Sequence, residues 1–132
     1  MLPEVGQQLP ELGIDISTRL VVAGAIATRD YQDVHHDKDA ARELGTPDIF
    51  MNIMTTQGLV GRYLSDWMEE GVRLERLDIR LGVPNFPGDR MLLNGEVLTV
   101  DTESREVVVA VRGQNGIGEH VTGTANLRFP AG

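Results

Sequence analysis

Asp30 and His35 stand five positions apart in the segment Thr28-Arg29-Asp30-Tyr31-Gln32-Asp33-Val34-His35-His36-Asp37. A carboxylate can take a proton from water, and an imidazole can orient that water or pass a proton on. The pair therefore suits general acid–base chemistry on a small electrophile. Enclosure in an apolar pocket would raise the pKa of Asp30. The ordinary alternative is that Asp30 caps a turn and His35 is a satisfied loop histidine; composition alone favours it, because both residue types are common in loops. A metal reading would use His35, His36, Asp33 and Asp37. Adjacent histidines in an extended loop rarely aim at one ion, and His120 lies far along the chain. No metal site is expected on these grounds.

The elements that must position this segment follow from periodicity. Residues 1–17 carry Pro, Gly and Gln among scattered apolar residues and read as an irregular lead-in. Leu20 to Ala27 is an apolar run with β-branched residues and reads as a strand. The Asp30/His35 segment is then a loop. Lys38 to Leu44 predicts a short helix closed by Gly45. From Ile49 to Met68, apolar residues recur at steps of three and four, predicting a long helix with a wide apolar face. Gly58 and Gly61 inside it point to close approach by another backbone. Asp48 is the expected cap of that helix, and its first free N–H groups could face a carbonyl oxygen that gains charge.

After Gly71 the period changes to two. Strands are expected from Val72 to Leu81, from Met91 to Val100, around Val107 to Val111, and from Val121 to Phe129. Asp101-Thr102-Glu103-Ser104 and Gly113-Gln114-Asn115-Gly116 carry turn chemistry, so the later strands pair antiparallel through tight connections. One long helix with about five antiparallel strands is an α+β arrangement. A strand, a helix, then a run of strands is the element order of a hot-dog fold, in which a curved sheet wraps a central helix.

Bulk composition bounds the rest. The 132 residues suit one domain, taken as 1–132, and 41% hydrophobic content supplies a core. There is no cysteine, which excludes disulfides, thiolate catalysis and cysteine-ligated zinc. Twenty acidic residues against twelve basic ones give a formal charge of −8, which argues against nucleic acid as a partner. No membrane span is expected. The N-terminus lacks the pattern of a signal peptide, and the cytoplasm is the expected compartment. A phosphate-bearing ligand would need local arginines or another subunit to hold it.

The segment from Thr28 to Asp37 resembles the motif of the MaoC-like, (R)-specific enoyl-CoA hydratases, usually Ser-Gly-Asp-x-Asn-Pro-(aliphatic)-His-x-Asp. Asp30, Val34, His35 and Asp37 match it; Arg29, Gln32 and Asp33 depart from it. Ile49 to Met54 falls where that family has Ile-Ala-His-Gly-Met-Leu, so Met51-Asn52 replaces His-Gly. Pro87-Gly88-Asp89, Asn115 and Gly118-Glu119 match in order further along. The whole string from Thr28 to Asp37 is similar to a narrower group, the small MaoC-like subunits of actinobacterial steroid (cholesterol) side-chain enoyl-CoA hydratases. So are Asp48 to Ile53 and Arg80-Leu81-Gly82-Val83-Pro84.

The resemblance implies hydration of a 2-enoyl-CoA to a 3-hydroxyacyl-CoA. Asp30 would be the base, His35 the water-orienting partner, and the backbone N–H of Asn52 the donor to the thioester oxygen. It implies no metal or redox cofactor, the acyl-CoA being the substrate. It also implies a heteromer with a second subunit that carries a MaoC-like and a DUF35 domain. Hot-dog folds also host acyl-CoA thioesterases, and a third reading is a non-catalytic stabilising subunit.

Overall fold

The computed structural model describes residues 1–132. Five antiparallel strands form one sheet in the order β1-β3-β4-β5-β2. They are β1 (Gln8–Asp15), β2 (Arg73–Leu81), β3 (Arg90–Val100), β4 (Glu106–Asn115) and β5 (Gly118–Arg128). Helices α1 (Thr18–Ala27), α2 (Lys38–Glu43) and α3 (Ile53–Trp67) lie between β1 and β2 in the chain, with a single 3-10 turn at Asp33–His35.

Alternation builds the central strands as expected. Val107, Val109 and Val111 of β4 and Met91, Leu93 and Val97 of β3 all point inward and are buried. Val60, Tyr63 and Leu64 of α3 join the same core, so the sheet packs one face on this helix. Polar ties fix both of its flanks. The Tyr63 hydroxyl donates to the Pro10 carbonyl on β1 at 2.7 Å, and burial pushes this phenol up to about 12. On β5, the His120 ring meets the Thr56 hydroxyl at 2.8 Å.

Three expectations are corrected. Leu20 to Ala27 lies in a helix, α1, rather than a strand. Eight apolar residues fit a buried strand or a buried helix equally well, and periodicity cannot separate them. The deciding signal is Ser17, whose hydroxyl caps the helix by accepting the Leu20 N–H at 3.0 Å. Val21 and Ala25, one turn apart, are its buried face. The lead-in is not irregular throughout, because Gln8–Asp15 forms edge strand β1 against β3. The pairing shifts between Leu9 and Leu12, and Pro10 sits in that bulge, where a missing N–H does no harm. The long helix starts at Ile53 with Asn52 as its cap, not at Asp48.

Gly58 and Gly61 also behave differently from expectation, since a Cβ at either would meet nothing within 4 Å. Close approach occurs instead at Gly24 of α1, where a Cβ would collide with the Thr55 side chain of α3. That glycine lets α1 and the start of α3 touch.

The end of α1 places Asp30. The Arg29 N–H donates to the Ile26 carbonyl at 3.0 Å and the Asp30 N–H to the Ala25 carbonyl at 2.8 Å. This paired closure is a Schellman motif, with Arg29 in the left-handed position at φ 55°. An L-residue other than glycine is strained there by roughly 1–2 kcal/mol. Arg29→Gly is therefore expected to stabilise the fold by about 1 kcal/mol, raising the midpoint of thermal unfolding by roughly 2–5 °C. In the core, Leu64 is fully buried. Leu64→Ala is expected to cost about 2–5 kcal/mol in the same measurement, through the cavity it leaves.

Candidate active site

The ends of two helices meet at Asp30. It follows the closure of α1, and its carboxylate faces Asn52, the cap of α3. The Asn52 amide donates to Asp30 Oδ2 at 3.1 Å and to Thr28 Oγ1 at 2.8 Å. Its carbonyl oxygen accepts the Thr55 N–H at 3.0 Å and the Thr55 hydroxyl at 2.5 Å. Thr28 in turn donates its hydroxyl to the Gly24 carbonyl at 2.8 Å. Flipping the amide would set its oxygen against a carboxylate and its NH2 against the Thr55 N–H, so the network fixes its orientation.

The 3-10 turn carries His35 back toward Asp30. His35 is 5% exposed, and its Nε2 lies 3.3 Å from Asp30 Oδ2. The other ring nitrogen, Nδ1, lies 2.6 Å from the Phe50 carbonyl, which can only accept, so Nδ1 carries the hydrogen. In the neutral ring, Nε2 is then a lone pair beside a carboxylate. Two acceptors side by side call for a shared proton donor, and a water can offer one hydrogen to each. The Phe50 ring also meets the His35 ring edge-on, with centroids 5.0 Å apart.

The Asp30 side chain keeps 27% of its surface exposed. Its pKa is held below the ordinary value, chiefly by the Asn52 hydrogen bond, against the opposing effect of burial. The expectation from burial alone had the opposite sign. The donor outweighs desolvation because the carboxylate still reaches solvent. Further lowering comes from the Gln32 N–H, which donates to Oδ1 at 3.3 Å, and from His35 and His36 in their protonated forms.

The two adjacent histidines diverge. His36 Nε2 contacts the Asp30 carbonyl at 2.7 Å, and its ring stacks on exposed Tyr31. Asp37 caps α2 through the Asp39 and Ala40 N–H groups. The side chains of His35, His36 and Asp37 thus serve different local ends, and no group of three or more His, Asp or Glu side chains in the fold has metal-holding geometry.

Asp30, His35 and Asn52 all line one cleft of about 390 Å³. Asn52 itself is 3% exposed, yet its backbone N–H has no acceptor within the protein, whereas the N–H groups of Phe50 and Met51 are taken by Val34 and Asn85. The expected donor thus stands unpaired at the cleft, contributed by a cap residue rather than by the interior of a helix. The far wall is Gly82, Val83, Pro84 and His120. His120 was not foreseen as part of this site. It is 1% exposed, bonded to the Val83 carbonyl through Nδ1 at 2.7 Å, and burial lowers its pKa. Only the pairing of β2 with β5 brings it there. No Lys or Arg lines the cleft.

No family model matches the chain. It is 44% identical over 123 residues to the 3-oxo-4,17-pregnadiene-20-carboxyl-CoA hydratase beta subunit of Mycobacterium tuberculosis, spanning 93% of this chain and 94% of that one. The fold superposes with a TM-score of 0.92 on a chain of the ChsH1–ChsH2 complex from Mycobacterium tuberculosis, at 42% identity, covering 98% of this chain and 100% of that one. It superposes with a TM-score of 0.88 on the (R)-hydratase from A. caviae involved in PHA biosynthesis, at 22% identity, covering 97% and 98% of the two chains. This last likeness is one of fold. With a relative this similar across nearly all of both chains, and with the sheet and helix arrangement they share, the chain belongs to the MaoC-like (R)-hydratase family and has its hot-dog fold.

Proposed function

We propose that this chain is the catalytic small subunit of an enoyl-CoA hydratase that acts on a steroid side-chain CoA thioester. The observation that carries the reading is the Asp30–His35 pair, 3.3 Å apart, at a cleft that also presents the free N–H of Asn52. Asp30 takes a proton from the bound water as its oxygen bonds to C3 of the enoyl group. The C2=C3 π electrons move toward the thioester carbonyl, and the Asn52 N–H holds the oxygen on which charge grows. His35 orients the water and helps carry the proton to C2, closing the balance at one water added. The thioester already polarises the double bond, so the reaction needs neither a metal nor a redox cofactor.

The substrate class rests on the 44% identical relative, whose name specifies a pregnadiene carboxyl-CoA. Size supports a partner. A cleft of about 390 Å³ takes the reacting end of such a thioester, not the sterol and CoA together. Without a cation in its walls it has no ready holder for the CoA phosphates. The proposed partner is a second subunit with MaoC-like and DUF35 domains, paired with this chain and supplying much of the binding surface. The chain acts as a single domain over residues 1–132. No helix is long and apolar enough to cross a membrane, and the proposed compartment is the cytoplasm.

The test is mass spectrometry of a steroid side-chain enoyl-CoA incubated with the co-expressed complex. Gain of one water is expected, and Asp30→Asn is expected to slow it by on the order of 10²–10⁴-fold with the complex intact. Release of free CoA would mark a thioesterase instead. Full activity of the Asp30→Asn complex would make this chain a non-catalytic subunit.

A further inference from the structure

The geometry assigns the Asn52 side chain, separately from its backbone N–H, as the positioning residue that aims the Asp30 carboxylate and keeps it ionised for catalysis. The inference rests on the hydratase reading only for the word catalysis; the electrostatic part stands on the site itself. The carboxamide is anchored at both ends. Its oxygen is consumed by the Thr55 N–H and hydroxyl, and its NH2 group spans Thr28 and Asp30 Oδ2. A side chain that is 3% exposed and bonded on every side has one orientation, so the donor it presents to Asp30 does not swing away.

This ties the base to the cap of α3. Asp30 is otherwise held by the long 3.3 Å contact from the Gln32 N–H. The titratable groups around it are His35 at 3.3 Å from Oδ2, His36 on its carbonyl, and His120 on the opposite wall of the cleft. Arg29, its neighbour in the chain, is exposed and forms no ion pair. No arginine or lysine is therefore at hand to replace the amide. A carboxylate that loses a donor to its charged form while remaining partly desolvated takes up a proton at higher pH. The base is active only when ionised, so activity is lost as pH falls through its pKa, and losing the donor moves that loss upward.

Two substitutions separate positioning from capping. Asn52→Gly keeps a residue tolerated at a helix cap and keeps the backbone N–H, but removes the amide. Asn52→Asp keeps a strong cap and so spares the fold, but sets a second carboxylate against Asp30. In the assembled complex, kcat is expected to fall on the order of tenfold for Asn52→Gly with KM within about twofold. The acidic limb of the pH–rate profile moves to higher pH in both variants, further in Asn52→Asp. A second measurement needs no substrate: the titration of the 13C-labelled Asp30 carboxyl by NMR in the same complexes, identified by its absence in Asp30→Asn. A higher titration midpoint in both variants supports the assignment even if the wild-type complex hydrates nothing, which would sink the hydratase reading alone. An unmoved Asp30 titration, or a hydratase whose acidic limb stays in place in both variants, overturns it.

Discussion

Everything at the site depends on holding one carboxylate between the end of α1 and the beginning of α3. Helix termini leave backbone groups unpaired, and each terminus needs a specific closure. This chain satisfies both at the same place. The Schellman closure of α1 ends on Asp30, and the cap of α3 is Asn52, whose amide bonds the Asp30 carboxylate. Gly24 allows the helices to come close enough for this, because Thr55 occupies the space that a Cβ would take. The strain at Arg29 is local to the same junction. A stabilising closure and a reactive group thus share a few residues, and the surrounding core holds them in register.

The sheet serves this junction indirectly. β5 carries His120, which reaches Thr56 one turn into α3 and the Val83 carbonyl beyond β2. Asn115, in the β4–β5 hairpin, reaches the Pro84 carbonyl and the Asn85 side chain. Asn85 then receives the Met51 N–H, just before the cap. The stretch Ile49–Met51 is irregular rather than helical, and its N–H groups are taken by the Asp48 side chain and by the Val34 and Asn85 carbonyls. The Asn52 N–H, next in the chain, has no such acceptor.

How much of this was legible in the sequence depended on the range of the physics involved. Alternation in Val107, Val109 and Val111 reports a half-buried strand directly, and the apolar steps of α3 report a helix. Asp101 and Asn115 announced their turns, and the structure shows their side chains accepting the turn N–H groups. The run Leu20–Ala27 was ambiguous because its length and composition suit either element, and Ser17 held the answer. β1 was hidden because Pro10 and its bulge break the alternation that would have revealed it. Asp30 and His35 were visible through their spacing and their resemblance to a known motif. The side-chain role of Asn52 and the placement of His120 were not, since both rest on contacts between residues far apart in the chain.

The sheet order carries a consequence for synthesis on the ribosome. β1 is made first, but it pairs only with β3, Gln8 lying opposite Glu96. At translation speeds of roughly 5–20 residues per second, that strand waits on the order of 4–18 s for its partner to be made. Through that interval its unpaired edge is open to wrong partners. The same proline and bulge that obscured β1 from periodicity interrupt that edge, a device by which exposed strands resist wrong pairing, in the finished sheet as during the wait.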